Sequence, residues 1–331
     1  MRIAVVSHDA GSSELLCALV KEYQEHVSWH IFAKVPSPMA TICERHALTF
    51  SPIGNVHEQL EALHLDLLLF GTGWQDTCER PYVDYCRVHS IPTVAFLDHW
   101  TNYRERFGYP QQGWERNLGD FTAVHDEKAY TIAASLALPN LLKLPNYYLQ
   151  NLIQDALKHP VSASNHLLFL SEPTDAVAER TYGDPLYWGF TQYTALQEIL
   201  ERFEQFACQT LIIRLHPSET SSNYESLCQR YPHILVQIHD AHSEDLIDEL
   251  MRARMIIGFD TMALYIAALL EKPVISYLPS ATRDFLLPLP SERQLKDLND
   301  FRPELLMPCP LPMDEFGMDF ASFLQIVTKA D

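Results

Sequence analysis

The stretch MIIGFDTMALYIAALLEKPVISY, residues 255–277, reads as a strand, a helix and a second strand in succession. Its two outer segments, MIIG and PVISY, are short, apolar and bounded by turn residues, which is typical of buried strands. The segment TMALYIAALLE between them has the length and composition of a helix. Strands buried on both faces and joined through a helix belong to parallel sheets, so this stretch predicts an α/β fold.

The same alternation of apolar strands and helices runs through the rest of the chain. Buried strands are predicted at 3–6, 29–34, 65–71, 92–98 and 121–127, and again at 166–173, 211–217 and 234–240. The polar, proline-containing stretch LKHPVSASN, residues 157–165, separates the two series. We therefore predict two Rossmann-like, doubly wound parallel-sheet domains that face a cleft. The first covers residues 1–155, the second covers 166–287, and 288–331 form a proline-rich segment with a terminal helix.

The composition excludes several classes of protein. The chain has 331 residues, of which 47% are hydrophobic and 20% charged, with a net charge of −19. This acidic balance disfavours nucleic acid as a partner and leaves at most a peripheral association with membranes, because both surfaces attract Lys and Arg. Seven cysteines without a C-x-x-C spacing argue against structural zinc and disulfides. The opening MRIAVVSHDAG resembles a first strand rather than a signal peptide, so we expect a cytoplasmic protein.

Charged and polar residues end the strand LIIRLHP, residues 211–217. Arg214 and His216 alternate with Leu215, so both are expected on one side of the strand, and Pro217 turns the chain. The carboxyl ends of parallel strands bind ligands, so these two cations are expected to meet an anion. The alternative is the plain end of an edge strand, with the arginine reaching for solvent.

A second polar corner follows the strand at residues 255–258. Gly258 would let a ligand approach the backbone, and Asp260 or Thr261 would cap the next helix, whose N-terminus suits a phosphate. Simple helix capping is the alternative for both residues. Because G-x-G-x-x-G and the Walker lysine motif are both missing from the sequence, a dinucleotide dehydrogenase or a P-loop enzyme is not expected.

The combination of RLHP, residues 214–217, with IIGFDTMALYIAALLEKPVISY, residues 256–277, resembles the carboxyl-terminal half of GT-B glycosyltransferases. Within that group it is most similar to enzymes with CMP-activated donors, namely bacterial sialyl-, polysialyl- and Kdo-type transferases, and to the CDP-glycerol teichoic-acid polymerases. The resemblance implies that His216 and Pro217 match the His-Pro motif and that Thr261 matches the Ser/Thr motif. Both motifs hold the nucleotide phosphate in that family.

The resemblance extends less specifically to FLSEP, residues 169–173. This segment is similar to the first strand end of the donor domain, which implies that Ser171 and Glu172 contact the base or ribose. A capped turn explains each of these residues equally well. For the acceptor side, the family has an acidic pair followed by glycine as its base motif. Here the corresponding order is His8, Asp9, alanine and Gly11, so the match is partial, and capping of the next helix by Asp9 is the alternative.

The segment FLDHWTNYRERF, residues 96–107, is the other candidate for the acceptor side. Asp98 ends a buried strand there and is the second candidate for the general base, which must take the proton of an acceptor hydroxyl. Aromatic and polar side chains together suit a sugar, although they also occur in ordinary packing. The residues expected to line the acceptor site are His99, Trp100, Asn102, Tyr103 and Arg104, with Gly73 and Trp74 from the preceding strand end.

The expected function is transfer of a sugar from a nucleotide donor to a glycan or lipid-linked acceptor in surface polysaccharide biosynthesis. CMP-nonulosonate or CMP-Kdo is the preferred donor, and His216 would stabilise or protonate the leaving group. We expect no cofactor and no metal, because the sequence has no D-x-D element and its other histidines lack ligand spacing. The alternatives are a UDP-sugar epimerase or hydrolase of the same fold, and a non-catalytic scaffold that binds nucleotide sugars.

Overall fold

The computed structural model describes residues 1–73, 76–159, 161–311 and 317–329. The chain divides into two compact units, Met1–Asn151 together with Asp314–Asp331, and Leu152–Met313. The proline-rich segment and the terminal helix, predicted as one part of the chain, therefore fall in different units. No helix in the described ranges combines the length and the apolar character that crossing a membrane requires.

The first unit contains one parallel sheet flanked by helices. Its strands are β1 (Arg2–Ser7), β2 (Ser28–Ala33), β3 (Phe50–Pro52), β4 (Leu67–Gly71), β5 (Thr93–Phe96), β6 (Phe121–Val124) and β7 (Leu141–Lys143). Its helices are α1 (Ala10–Glu22), α2 (Pro38–Arg45), α3 (Val56–Glu61), α4 (Arg80–Val88), α5 (Glu127–Ser135) and α6 (Tyr147–Lys158), the last of which crosses into the second unit. The strand order is β3-β2-β1-β4-β5-β6-β7, and each neighbouring pair is parallel.

The second unit repeats this plan. Its strands are β8 (His166–Leu170), β9 (Thr210–Arg214), β10 (Leu235–His239), β11 (Met255–Gly258), β12 (Val274–Tyr277) and β13 (Gln294–Leu295). Its helices are α7 (Thr174–Tyr182), α8 (Gln192–Glu201), α9 (Ser222–Cys228), α10 (Leu246–Arg252) and α11 (Met262–Leu269); α12 (Phe320–Val327) follows and belongs to the first unit. The strand order is β10-β9-β8-β11-β12-β13, again with parallel neighbours. The predicted fold class of two doubly wound parallel sheets is confirmed.

The apolar strands form the core of each unit. In the first unit Ile3, Val5 and Leu69 are fully buried under α1 and α12, whose Phe323 is also fully buried. In the second unit Leu167 and Ile257 take the same place under the helices. These strands read as continuous apolar runs because helices cover both faces of a parallel sheet.

Each sheet has one point where the strand order reverses direction. In the first sheet the chain builds outward from β1 to β3 and then returns to place β4 on the other side of β1. In the second sheet the same reversal occurs between β8 and β11. Open α/β sheets bind ligands at the carboxyl ends of the strands beside such a switch point. We therefore expect ligand-binding residues in the loops after β1, β4, β8 and β11.

Candidate functional site

The two aspartates predicted as alternative bases lie together in the first unit. Asp9 follows β1, and Asp98 follows the end of β5. Burial raises the pKa of Asp9, and the nearby negative charge of Asp98 raises it further, while Arg106 acts in the opposite direction. Asp9 occupies the N-cap position of α1, but its side chain makes no capping hydrogen bond. A hydrogen bond with the backbone of Gly11 acts to lower the same pKa, so this carboxyl group contacts the start of α1 without capping the helix.

Asp98 is held in place more firmly than Asp9. Its Oδ1 accepts a hydrogen bond of 2.5 Å from Nη1 of Arg106, which also donates to the carbonyl oxygen of Thr72 at 3.0 Å. Gly11 packs directly against the carboxylate, because a Cβ atom at this position would lie 1.8 Å from Oδ2 of Asp98. Gly11 is thus explained by close packing rather than by a direct contact with substrate.

His8 forms a buried pair with Glu79, a residue that the sequence did not single out. Nδ1 of His8 hydrogen-bonds to Oε1 of Glu79, and both side chains are less than one tenth exposed. Burial acts to lower the pKa of His8, but the hydrogen bond and charge of Glu79, with Asp76 and Asp9, raise it on balance. Gly73 crosses beside this ring, since a Cβ there would lie 2.7 Å from Nε2 of His8. Trp74, predicted for the same site, lies outside the described residues.

A possible set of metal ligands exists at this position. Among the described residues, His8, Cys78 and Glu79 offer ligand atoms that lie within 4.8 Å of one another. The His8–Glu79 hydrogen bond satisfies Nδ1 without an ion. Metal independence remains a prediction.

Several residues predicted to line the acceptor site support the loop after β5 instead. Trp100 is buried and its Nε1 donates to Asp126 at 2.8 Å, while Tyr103 is also buried. Nη2 of Arg104 donates to the carbonyl oxygen of Leu136 at 3.2 Å. These contacts give the three side chains a structural role, and their contact with an acceptor stays a prediction.

The other two residues of that loop remain accessible. His99 is partly exposed, and Asn102 is exposed with a backbone φ of 57°. Asparagine is one of the few residues other than glycine that adopts this left-handed conformation readily. Asn102 therefore has a conformational reason to be in this turn besides any contact with an acceptor.

In the second unit, Ser171 is part of a small hydrogen-bond network after β8. Its Oγ donates to Oε1 of Glu219 at 3.2 Å and shares a hydrogen bond of 2.6 Å with the hydroxyl of Tyr224. The other oxygen of Glu219 accepts from the backbone N–H of His216 at 2.9 Å. Glu219, which the sequence analysis did not select, thus joins the loops after β8 and β9.

His216 lies in the exposed turn that Pro217 opens after β9. Its Nδ1 accepts from the backbone N–H of Ser218 at 3.2 Å and is 2.8 Å from the hydroxyl of the same serine. In the neutral ring, acceptance at Nδ1 assigns the proton to Nε2. His216 can therefore donate a hydrogen bond to a ligand through Nε2.

Arg214 is bonded to residues of its own unit. Its Nη1 donates to Oε2 of buried Glu249 at 2.5 Å and to the carbonyl oxygen of Glu244 at 3.1 Å. Its Nη2 donates to the carbonyl oxygen of Ala241 at 2.9 Å. The two terminal nitrogens are thus bonded within the protein, and the geometry does not support the contact with a phosphate.

The corner after β11 is also largely structural. Gly258 is in the strand itself, where a Cβ atom would approach Leu170 to 2.9 Å, so the glycine permits sheet packing rather than ligand approach. Asp260 accepts from the hydroxyl of Ser276 at 2.8 Å and from the backbone N–H of Leu286 at 2.9 Å. These contacts explain both residues structurally, and their predicted contacts with a nucleotide stay predictions. Thr261 caps α11 by accepting from Leu264 at 3.1 Å, which leaves its own hydroxyl proton available.

Glu172 has an unusual electrostatic environment for a carboxyl group. Burial raises its pKa to about 7, the charges of Asp260 and Glu219 act in the same direction, and Arg283 opposes them. A carboxyl group with this pKa exchanges its proton near neutral pH. Perturbed groups of this kind occur preferentially, though not exclusively, at functional sites.

Comparison with known proteins is informative for the fold. No family model and no curated protein matches the sequence. A UDP-GlcNAc 2-epimerase from Neisseria meningitidis, solved with bound UDP-GlcNAc, is similar with a TM-score of 0.55 at 12% identity, over 83% of this chain and 82% of that one. MurG of Acinetobacter baumannii gives 0.51 at 12% identity, over 88% and 80% of the two chains. MnaA of S. aureus, solved with UDP, gives 0.55 at 11% identity, over 85% and 80%.

The chain has the GT-B fold. At these identities the likeness is one of fold, so it supports the GT-B part of the sequence resemblance and does not support a CMP-sugar donor.

Proposed function

We propose that the protein is a glycosyltransferase that moves a sugar from a nucleotide donor to a hydroxyl group of a glycan or lipid-linked acceptor. The observation that supports this proposal is the GT-B fold, shared with structures that hold UDP-GlcNAc or UDP. We place the reaction in the cytoplasm, in the synthesis of surface polysaccharide. We assign the donor residues to the second unit and the base to the first.

Donor binding would use the loops after β8, β9 and β11. Nε2 of His216 donates to the phosphate, together with the hydroxyl of Thr261 and the free N–H groups at the start of α11. Ser171 and Glu172, which follow β8, would contact the nucleoside. As the bond between the sugar and the phosphate breaks, the hydrogen bond from His216 stabilises the negative charge that grows on the leaving nucleotide.

Acceptor activation would use Asp9. Its raised pKa makes it a stronger base than an ordinary aspartate, and its side chain is not consumed by helix capping. Asp98, bonded to Arg106, lies beside it, and its negative charge adds to the effect of burial in raising the pKa of Asp9. The acceptor hydroxyl gives its proton to Asp9, and its oxygen forms the new bond to the anomeric carbon while the nucleotide departs.

The most informative experiment determines which nucleotide the protein binds. The sequence resemblance favours CMP, whereas the ligands of the similar structures contain UDP. We expect CMP or CDP to raise the melting temperature more than UDP or GDP, because a ligand bound to the native state stabilises it by mass action. A shift with UDP alone would replace the CMP donor by a UDP donor. No shift with any of the four would overturn a nucleotide-sugar function.

A second candidate is a UDP-sugar epimerase, which the similarity to the UDP-GlcNAc 2-epimerase favours. An epimerase or a hydrolase needs no acceptor. Incubation of the protein with UDP-GlcNAc alone, followed by NMR of the sugar, separates these reactions from transfer. A changed sugar would support the epimerase, and binding of nucleotide sugars without any turnover across acceptors would support a non-catalytic scaffold.

A further inference from the structure

Arg283 is a cation without a hydrogen-bonding partner in the described part of the chain. It lies in the loop after β12, and its guanidinium carbon is 4.9 Å from the centre of the Trp188 ring. Its Nε is buried and makes no hydrogen bond to a described residue. Burying an arginine nitrogen without a hydrogen-bond acceptor is costly. An anionic ligand at this position would supply the acceptor.

The loop that carries Arg283 is fixed on both sides. On one side the backbone N–H of Thr282 donates to the carbonyl oxygen of Trp188 at 3.3 Å. On the other, the backbone N–H of Leu286 donates to Asp260 at 2.9 Å. The guanidinium is therefore held over the indole ring before any ligand arrives, which reduces the entropy lost on binding.

The position of Arg283 is also suited to the donor. Burial raises the pKa of Glu172, which follows β8, and the positive charge of Arg283 acts against that effect. The two side chains are therefore within electrostatic reach of each other. The carboxylates nearby are bonded elsewhere: Asp260 to Ser276 and Leu286, and Glu219 to Ser171 and Tyr224. Arg283 is thus a positive charge in the loop after β12, within electrostatic reach of the loop after β8, and it forms no ion pair of hydrogen-bonding length with a described residue.

We propose that Arg283, and not Arg214, is the arginine that binds the donor phosphate. The inference rests on the proposed use of a nucleotide donor and names the residue that recognises its anionic part. A guanidinium presents several N–H groups in a fixed plane, which matches the oxygens of a phosphate and gives bonds that lysine cannot reproduce in full. The ligand is recognised by its phosphate, so the nucleoside alone should not depend on Arg283.

The test compares nucleotide and nucleoside binding by calorimetry. Titrations of CMP, cytidine, UDP and uridine are made with the wild type, Arg283→Gln and Arg283→Lys. We expect Arg283→Gln to weaken the nucleotide that binds by roughly tenfold to a hundredfold and to leave its nucleoside unchanged. Arg283→Lys should restore part of the loss. Arg302→Gln is the matched control, because the hydrogen bonds of Arg302 to described residues go to the backbone carbonyls of Asn299 and Phe301.

The outcomes separate the two levels of the proposal. Unchanged nucleotide affinity in Arg283→Gln, or an equal loss for nucleotide and nucleoside, overturns the role of Arg283 while leaving the donor proposal intact. Failure of the wild type to bind any of the nucleotides overturns the proposed function itself. Melting temperatures show whether Arg283→Gln is misfolded. If it is, the role of Arg283 is decided by comparing the nucleotide affinities of the wild type and Arg283→Lys, since lysine keeps the positive charge, and equal affinities would overturn that role.

Discussion

Asp9 and Asp98 show how the role of an acidic residue depends on its immediate partners. Both follow buried strands, yet only Asp98 has an arginine bonded to its carboxylate. Arg106 thereby makes the two environments different, because it pairs with Asp98, whereas burial and the negative charge of Asp98 raise the pKa of Asp9. This asymmetry resembles other pairs of carboxyl groups in which the environment gives one member the proton-transfer role.

Replacement of the proposed base gives the first prediction. Asp9→Asn should lower turnover by roughly a hundredfold or more and change nucleotide affinity little, because it removes proton transfer and not donor contacts. In the wild type, activity should rise with pH through a midpoint above the ordinary range of aspartate, and this limb should vanish in the variant. Steady-state rates and CMP titrations measure both effects. Asp84→Asn, at an exposed position of α4, serves as the control; equal losses of binding and turnover in Asp9→Asn would indicate a structural role.

The raised pKa of Glu172 gives a prediction about stability. A group whose pKa is higher in the folded state stabilises the fold fully only below its unfolded pKa, and this contribution is lost as the pH rises through about 7. Glu172→Gln cannot ionise, so its advantage in unfolding free energy should grow by about 1–2 kcal/mol between pH 5 and pH 8. Urea unfolding at the two pH values measures this. Exposed Glu225→Gln should show no such growth, and a constant difference for Glu172→Gln contradicts the prediction.

Individual residues also show what the sequence can and cannot predict. The strand ends that carry His8, Ser171 and His216 follow from the apolar pattern, since a buried strand that meets polar residues marks its own end. The partners of a charged side chain do not follow. Arg214 was assigned to an anion because Glu249, which it contacts, lies 35 positions further along the chain. Arg283 remained unselected because its environment is created by loops from three separate segments.

At the scale of elements, β9, β10 and α10 are joined by a buried charge network. Glu249 of α10 is almost fully buried and bonds to Arg214 at 2.5 Å and to Nδ1 of His239 at 2.6 Å. The two strands are parallel neighbours, and this carboxylate ties their carboxyl ends to the helix. The helix begins at Leu246, after the capping residue Asp245.

Breaking this network should be expensive because it leaves a buried charge without its counterion. We expect Glu249→Gln to lower the free energy of unfolding by about 3 kcal/mol. Adding Arg214→Met to the same protein should recover part of that loss, since it removes the unpaired charge. Urea unfolding of the single and double variants measures the coupling, with exposed Glu179→Gln as the control. Strictly additive losses would mean that the two side chains do not support each other.

Short elements were beyond sequence analysis for a related reason. The strands β3 and β13 have three and two residues, so they carry no periodic pattern of their own. They exist because the edge of a preceding strand offers unpaired backbone groups. The long apolar strands of both sheets were predictable because a strand that is buried on both faces is apolar at consecutive positions.

At the scale of the whole molecule, the chain builds the first core with residues from both of its ends. After completing the second unit it returns to the first as α12, where Phe320 stacks on Tyr23 with ring centres 4.2 Å apart. Phe323 is fully buried in the same cluster. The sequence predicted a terminal helix but not which core it completes, because amphipathic character specifies a buried face and not its partner.

Two matched substitutions that each create a cavity test whether the two cores are stabilised independently. Phe323→Ala and Phe206→Ala each remove a fully buried ring, one from the first unit and one from the second, and each should cost about 3–5 kcal/mol. We expect Phe323→Ala to reduce amide protection against hydrogen exchange mainly in β1 and β4, and Phe206→Ala to reduce it mainly in β8 and β11, because each cavity weakens the cluster that contains it. Hydrogen exchange with mass spectrometry resolves these segments. If Phe323→Ala lowered protection equally in all four strands, α12 would have to stabilise the molecule as a single cooperative unit and not through the first core alone.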